Sequence, residues 1–281
     1  MNSFLESCLN LMRPLPIRGK GLLWNRLTPR TGSHTVPVWG RYSMKLELSN
    51  VVHRQMYMGC FGDQIASWIR GLLRQGGAFL DVGAHIGYFA LLGADRVGPD
   101  GRVFAIEPNP KAFSLLREHL DDNAARQVTA EQVALADTSG VLRLYSPADQ
   151  EARDYNVTLL PQDGWNVVEV AARPLDDLIT EWGLPTFDLM KMDVEGGEPG
   201  VLRGGSERLA AGAVRHLITE VNGPRLAEVG SSPKKLFDQL DELGFTPAKL
   251  RGGRAVRVDR RTLDLHPEHE YDRLFVHRST L

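Results

Sequence analysis

The sequence predicts an α/β protein built on a doubly wound, mostly parallel sheet. Two strand–turn–helix units, at residues 78–89 and 101–120, carry this prediction. In each unit a short apolar run ends in an acid and gives way to apolar residues at helical spacing. The chain has 281 residues, of which 42% are hydrophobic, and this is enough for one large α/β core plus an extension.

The residues before the first unit are predicted to form an N-terminal extension or lid, 1–75. A short amphipathic helix is expected near its start, followed by a basic stretch that we interpret as a solvated arm. Short apolar runs at 36–39 and 44–48 predict a hairpin. Helical spacing at 64–73 predicts a helix, which Gly76-Gly77 end.

The remaining residues, 76–281, are predicted to form the core domain, with a β insertion around 139–172. A third core strand is expected at 128–135, and alternating apolar residues predict two strands of the insertion. Proline and acids at 174–177 open a helix. The further elements are strands at 187–192, 213–221, 245–250 and 274–277, and a helix at 236–243.

The first unit, AFLDVGAHIGYF, predicts a cofactor site. Gly83 and Gly87 lack a β-carbon, so a ligand or the facing backbone can approach them closely. The helix that follows presents free N–H groups and the positive end of its dipole. Ligands of open parallel sheets bind beyond the carboxyl ends of the strands. A nucleoside-bearing cofactor is therefore expected here, the alternative being a turn that only packs a helix on a strand.

The spacing of this unit favours S-adenosylmethionine (SAM) over NAD. The middle glycine of the dinucleotide fingerprint falls at His85, which weakens that interpretation. Asp81 ends the strand just before the turn, where a carboxylate repels a pyrophosphate but suits a sulfonium, an ammonium or a hydroxyl.

Glu107 ends the second strand, 20 residues after Gly87. Nucleotide-binding folds place the acid that holds the ribose hydroxyls at this spacing. A carboxylate can accept from both hydroxyls at once. The alternative is an exposed acid near the start of a helix.

Four motifs, DVGAHIGYF, GRVFAIEPNP, VALAD and FDLMKMDVEGGE, together resemble the FkbM-type SAM-dependent methyltransferases. The resemblance runs from about Val51 to Val221. The chain departs from the family pattern at His85, where Asn is usual, and at Gly62, where Glu is usual. The resemblance implies a class I methyltransferase (Rossmann-like) fold with seven strands, the last one antiparallel at the edge beside the fifth.

The resemblance also implies further site residues. Asp137 matches a position near the adenine ring, although a turn-forming Asp is an equal alternative. The segment 156–159 (NVTL) resembles a polar position facing the cleft. His53 and Tyr57 are site candidates by analogy alone. The predicted cofactor-binding set is Asp81, Gly83, Ala84, His85, Gly87, Glu107, Asp137 and Asp193.

Asp193 is the first choice for the catalytic acid or base. In a doubly wound sheet, the strand ends that carry Asp81, Asp193 and Glu220 converge on one crevice. Asp193 or Glu220 could take the proton of a hydroxyl, with His85 as a further candidate base or a cap of the cofactor helix. The alternative for Asp193 is a capping role worth roughly 0.3–1 kcal/mol.

Asp193, Glu220 and Asn222 also predict a site for Mg²⁺ or another hard divalent cation, since their side chains supply oxygen ligands. The alternative is that these are separate polar residues at strand ends. His266 and His269 lie in a polar stretch and are interpreted as surface residues, because a closed zinc site wants four ligands.

Whole-chain properties exclude several classes of protein. The formal net charge of −2, from 33 basic and 35 acidic residues, gives no global attraction to nucleic acid or anionic lipid. Cys8 and Cys60 make no disulfide framework, and no apolar run is long enough to span a bilayer. No secretory signal is recognised, so a cytoplasmic location is expected. The sequence leaves a homodimer open.

The sequence therefore predicts a SAM-dependent O-methyltransferase. Its expected acceptor is a small, hydroxyl-rich molecule such as a sugar, a polyketide or another secondary metabolite. An N-methyltransferase that uses the same SAM site is the nearest alternative. An NAD-binding oxidoreductase and a non-catalytic SAM-binding protein are alternatives from other classes.

Overall fold

The computed structural model describes residues 30–147, 158, 160–161, 163–184, 186–263 and 265–280. The predicted N-terminal helix, most of the basic arm and all of the segment 156–159 except Thr158 lie outside the described residues. Among those described, no helix combines the length and the apolar character needed to cross a membrane.

The strands, in chain order, are β1 (Ser33–Trp39), β2 (Tyr42–Glu47), β3 (Ala78–Val82), β4 (Arg102–Ile106), β5 (Val128–Glu131), β6 (Ala134–Leu135), β7 (Gly140–Pro147), β8 (Trp165–Arg173), β9 (Leu189–Met192), β10 (His216–Asn222), β11 (Phe245–Arg251), β12 (Arg254–Arg257) and β13 (Glu270–His277). The helices are α1 (Val51–Met58), α2 (Asp63–Leu72), α3 (Tyr88–Val97), α4 (Pro110–Asp122), α5 (Leu175–Trp182), α6 (Glu198–Gly204), α7 (Ser206–Ala210), α8 (Gly223–Glu228) and α9 (Pro233–Glu242). Short 3₁₀ turns occupy Arg260–Thr262 and Arg278–Thr280.

The main sheet has the order β12-β11-β13-β10-β9-β3-β4-β5 among the described residues. The pairs from β10 through β9, β3 and β4 to β5 are all parallel. Apolar clusters lie on both faces of this sheet, one around Phe79 and Leu189 and the other around Leu80 and Met190. Neighbouring residues of one strand point to opposite faces, which explains why these strands read as continuous apolar runs. The predicted doubly wound, mostly parallel α/β fold is confirmed.

The far edge of this sheet differs from the prediction in two respects. The sheet has eight strands among the described residues rather than seven. The last strand, β13, does lie antiparallel beside β10, but it also pairs with β11, so it is internal rather than an edge strand. The edge strand is β12, which follows a two-residue turn at Gly252 and Gly253. Their φ values of 55° and 74° suit the hairpin turn that needs two positive φ angles.

The predicted third strand at 128–135 divides into two strands. β5 completes the main sheet, whereas β6 leaves it and pairs in parallel with β8 in a separate sheet of order β6-β8-β7. The chain changes sheets at Gln132 and Val133, which belong to neither strand. The antiparallel pair β7 and β8 confirms the two predicted strands of the insertion.

The hairpin β1–β2 packs into the core of the main sheet instead of standing apart from it. Tyr42, Met44 and Leu46 alternate with more exposed residues and are at most 1% exposed. The Trp39 indole donates to the Tyr88 carbonyl at 2.8 Å, at the start of α3. The helix α1, which had no clear signal in the sequence, follows the hairpin, with Asn50 capping its amino end.

His119 joins the hairpin to the loop before α3. Its ring Nδ1 donates to the carbonyl of Ile86 at 2.8 Å, and its Nε2 accepts from the backbone N–H of Lys45 at 3.2 Å. The side chain is 1% exposed, so water cannot replace either partner. We therefore expect His119→Leu to lower the free energy of unfolding by about 2–4 kcal/mol, because the buried Ile86 carbonyl and the partly buried Lys45 N–H lose their partner.

Urea unfolding of wild type and variant measures this difference. Arg117→Leu, an exposed change on the same helix, is the matched control and should stay within about 0.5 kcal/mol of wild type. A His119→Leu loss as small as that of the control would contradict the prediction.

Candidate active site

A cleft of about 930 Å³ opens at the carboxyl ends of β3, β4, β9 and β10. One end is lined by the turn after β3, by Glu107 and by the residues around Asp137. The other end is lined by Lys191, Asp193, Glu195, Glu220, Asn222, Arg225 and Glu270. The parallel pairing of the strands thus brings together residues that are far apart in sequence, as the sequence predicts.

The turn after β3 is fixed by the backbone of the neighbouring strands. The N–H groups of Gly83 and Ala84 both donate to the Ile106 carbonyl at 2.9 Å. Gly83 has a φ of 75°, and a β-carbon there would lie 1.8 Å from the Asp193 carbonyl oxygen. Gly87 has a φ of 93° and begins α3. Only glycine fits at Gly83, and the turn after β3 therefore touches the Asp193 loop directly.

Glu107 lies at the end of β4, lines the cleft and is 6% exposed. Its Oε2 accepts from the His85 N–H and its Oε1 from the Asn109 N–H, both at 2.8 Å. Burial raises the pKa of Glu107 to about 7, against the lowering effect of these two hydrogen bonds. Each oxygen keeps a further lone pair, which could accept from a ribose hydroxyl.

His85 lines the cleft with a φ of 52°, a left-handed conformation that is uncommon for residues other than glycine. Removal from water, followed by the charge of His53, lowers the pKa of His85 to about 3. The ring is therefore neutral at physiological pH and only a weak base. This state suits a positioning role better than proton abstraction, and both roles of His85 stay predictions.

Asp81 occupies a different place from the one expected of a cofactor ligand. It is 0% exposed, and it lies beneath the cleft rather than on its wall. Its Oδ1 is 3.6 Å from the Lys191 ammonium. Burial raises the pKa of Asp81 to about 6, and Lys191 opposes that rise. The residues of the 78–89 unit that line the cleft are Val82, Gly83, Ala84, His85, Tyr88 and Phe89, whereas Gly87 is not among them.

The DVEGGE segment forms a compact loop between β9 and α6. Glu195 and Gly196 have φ values of 53° and 96°, which turn the chain sharply. The buried Glu198 stabilises this turn, since its Oε1 accepts from the N–H groups of Val194 and Gly196 at 3.1 and 3.4 Å. Asp193 projects from the loop with about a third of its side chain (34%) exposed. The alternative capping role does not describe Asp193, because no side chain of the described residues caps the amino end of α6 by a hydrogen bond and Asp193 pairs with Lys191.

Glu220 and Asn222 lie at the end of β10, each 8% exposed. Desolvation, followed by the charges of Asp193 and Glu195, raises the pKa of Glu220 well above its ordinary value. Asn222 caps α8 by accepting from the Arg225 N–H at 3.2 Å, and its Nδ2 donates to Glu270 at 3.2 Å. A protonated Glu220 suits hydrogen bonding better than proton abstraction.

These contacts do not form the predicted metal site. In the described part of the chain, no group of three or more His, Cys, Asp or Glu side chains is placed to hold a metal ion. Asp193 Oδ2 pairs with the Lys191 ammonium at 3.3 Å, and the Asn222 oxygen caps α8. One Asp193 oxygen and the side-chain oxygen of Asn222 are thus directed to protein partners rather than to a metal ion.

The remaining candidate residues differ in whether they line the cleft. Asp137 lies at the cleft rim, half exposed (51%), 3.5 Å from Arg203. Thr158 lines the cleft and is buried. His53 and Tyr57 are buried in α1 and do not line it, whereas their neighbour Met56 does.

Comparison with known proteins adds to this geometry. The methyltransferase FkbM domain matches residues 81–247 of the chain. The chain belongs to the FkbM methyltransferase family. It is a SAM-dependent methyltransferase, and the cofactor end of its cleft, with the glycine turn and Glu107, fits that cofactor.

Two relatives and one solved structure are similar to this chain. The 31-O-demethyl-FK506 methyltransferase FkbM of Streptomyces tacrolimicus is 33% identical over 64% of this chain and 73% of its own length. The 2-O-methyltransferase NoeI of Sinorhizobium fredii is 29% identical over 56% of this chain and 68% of its own. A structure of methyltransferase FkbM from Methylobacillus flagellatus is 19% identical, with a TM-score of 0.43, over 80% of this chain and 54% of that one.

Several residues in or beside this cleft were not among the predicted ones, and Lys191, Glu198, Arg225 and Glu270 are the ones with contacts described above. Lys191 carried a usable signal, since a lone lysine inside the apolar run FDLMKM must find a buried partner. Glu198 sits in the distinctive part of the DVEGGE motif. Arg225 and Glu270 carry no such signal, because both read as ordinary surface charges.

The buried Glu107 gives the stability of this methyltransferase a characteristic pH dependence. Its pKa in the folded protein is about 7, above the ordinary 4.5, so its favourable contribution is complete below pH 4.5. That contribution is lost as the pH rises through about 7, because the folded protein must then bury a charge. The stability advantage of wild type over Glu107→Gln should therefore shrink between pH 4 and pH 8.

Urea unfolding of both proteins at these two pH values measures the change. Glu118→Gln, at an exposed position of α4, serves as the control and should show no such trend. An advantage that stayed constant or grew with pH would contradict the pKa of Glu107 given above.

Proposed function

We propose that this methyltransferase transfers a methyl group to a hydroxyl oxygen of a small, hydroxyl-rich acceptor, such as a sugar or another secondary metabolite. The observation that carries the proposal is the partly exposed Asp193 carboxylate in the cleft, on a loop that touches the cofactor turn at Gly83. The names of the two relatives each contain a numbered oxygen position, 2-O and 31-O, and this supports transfer to oxygen.

The bound cofactor supplies an electrophilic methyl group on a positively charged sulfur. Asp193 is the proposed base: its carboxylate takes the hydroxyl proton as the acceptor oxygen forms its bond to carbon and the carbon–sulfur bond breaks. Gly83, Ala84 and Glu107 hold the cofactor, which aligns the reacting atoms. Such alignment can contribute on the order of 7–11 kcal/mol to catalysis.

The acceptor end of the cleft suits hydroxyl groups. Asp193, Glu195, Glu220 and Glu270 line it together with Asn222, and carboxylates and amides accept hydrogen bonds from hydroxyls. Among the described residues, Glu220 Oε2 is buried and has no hydrogen-bond partner. A buried polar atom of this kind is costly until a ligand satisfies it, which favours an acceptor with several hydroxyls.

Incubation with methyl-labelled SAM and an extract of the source organism should yield a labelled product with its new methyl group on oxygen. Mass spectrometry of the product identifies the acceptor and the methylated atom. Asp193→Asn should lower turnover by about 10²- to 10⁴-fold while SAM still binds, because the base is lost. Asp241→Asn, on the exposed end of α9, is the matched control.

Three results would overturn parts of this proposal. Methyl groups on nitrogen would establish the N-methyltransferase alternative. Unchanged turnover of Asp193→Asn would remove its role as base. Failure of the wild type to bind SAM, together with tight binding of NADH, would favour an oxidoreductase.

A requirement for Mg²⁺, held by Asp193, Glu220 and Asn222, is a separate proposal that the observed contacts of Asp193 and Asn222 do not favour. If the metal is needed, exhaustive treatment with EDTA should stop turnover and added Mg²⁺ should restore it. Turnover is measured with the acceptor identified above. Full activity after chelation would remove the metal from the mechanism.

A further inference from the structure

Lys191 is a charged side chain in the middle of β9, a strand whose four residues are all buried. Only 4% of its side chain is exposed. Its ammonium group reaches the Gly83 carbonyl at 2.8 Å, Asp193 Oδ2 at 3.3 Å and Asp81 Oδ1 at 3.6 Å. One cation thus contacts the cofactor turn, the proposed base and the acid at the end of β3.

Asp81 and Lys191 depend on each other in the interior. The Lys191 ammonium lies 3.6 Å from Asp81 Oδ1, and the backbone N–H of Ala90 also stabilises the Asp81 carboxylate. Burial alone would lower the pKa of Lys191, but Asp193 and Asp81 raise it above its ordinary value, so the ammonium stays charged. An isolated buried charge would be costly, and each of the two compensates the other.

We propose that Lys191 is a positioning residue. The Asp81 carboxylate holds the Lys191 ammonium group in place, and this ammonium group fixes the orientation of the Gly83 carbonyl and of the Asp193 carboxylate. The proposal rests on the proposed function, because it takes the Gly83 turn as the SAM site and Asp193 as the base. It also gives Asp81 a role other than direct contact with the cofactor, namely that of the buried counter-charge.

The contacts explain how Lys191 acts on binding. Gly83 and Ala84 line the cleft, and the carbonyl between them is held by the Lys191 ammonium. The Asp193 side chain is 34% exposed, and its ion pair with Lys191 restricts the orientation of the carboxylate. Restricting both groups before the cofactor binds lowers the entropic cost of binding and of reaction.

A purely structural role is the competing explanation. Replacing both members of a buried ion pair is often neutral for stability, whereas removing one partner is strongly destabilising. Stability and cofactor binding therefore separate in a double variant. Loss of both charges should restore the fold, but it cannot restore the contact with the Gly83 carbonyl.

The experiment compares Lys191→Met, Asp81→Asn and the double variant by calorimetric titration with S-adenosylhomocysteine, the demethylated product, and by thermal unfolding. We expect Lys191→Met to weaken binding by roughly 10- to 100-fold, as for the loss of a hydrogen bond to a charged group. Its Tm should fall by about 5 °C or more. The double variant should regain most of the Tm but should still bind weakly.

Lys234→Met, at a position whose side chain is 77% exposed on α9, is the matched control and should leave both quantities unchanged. Recovery of both Tm and affinity in the double variant would reduce Lys191 to a structural role and overturn the proposal. If Lys191→Met does not fold, comparison of the double variant with Asp81→Asn decides the question. A wild type that binds no S-adenosylhomocysteine would instead contradict the proposed function.

Discussion

The parallel pairing of β3 with β9 is the contact on which the cleft depends. It sets Val82 beside Met192, and the two chains leave the sheet together at the carboxyl edge. The Asp193 N–H donates to the Val82 carbonyl, and Gly83 lies against the Asp193 carbonyl. This close approach leaves no room for a side chain at position 83. The turn at Gly83 and the loop at Asp193 are consequently parts of one surface, although 110 residues separate them in the chain.

Much of the fold follows from the pattern of apolar residues. The core strands β3, β4 and β9 are buried on both faces, so they appear in the sequence as short apolar runs between glycines and prolines. The helices α2 and α9 carry apolar residues at helical spacing, and both lie where the spacing predicts them. These signals are local, and for this reason they need no knowledge of the tertiary structure.

The features that escaped prediction depend on partners elsewhere in the chain. β12 is short and largely exposed, with Arg254 and Arg257 at its ends, and it is a strand only because β11 offers a free edge. The division between β5 and β6 depends on β8, because β6 pairs with β8 instead of continuing in the main sheet. The internal place of β13 depends on β11 reaching its outer side. Pairing of this kind leaves no trace in the spacing of residues.

The site shows the same contrast. The strand-end acids Glu107, Asp193 and Glu220 line the cleft as the sheet rule leads one to expect. The solvent exposure of each carboxyl group could not be predicted, and this exposure decides whether the group can contact a ligand. Asp81 is sealed beneath the cleft, whereas Asp193 reaches it, although both follow apolar runs of similar length. The difference comes from the register of the sheet, because Asp81 lies inside β3 opposite Lys191, whereas Asp193 lies one residue beyond the end of β9.

The hydrogen bonds that join the β1–β2 hairpin to the rest of the domain determine how far the chain can be shortened. Trp39 donates a hydrogen bond to the first turn of α3, and His119 connects Lys45 to Ile86. The hairpin therefore packs against the segment that follows the turn at Gly83. A truncated chain that began at residue 76 would uncover the apolar side of α3 and α4. Workers who seek a minimal catalytic fragment should therefore begin it ahead of Ser33.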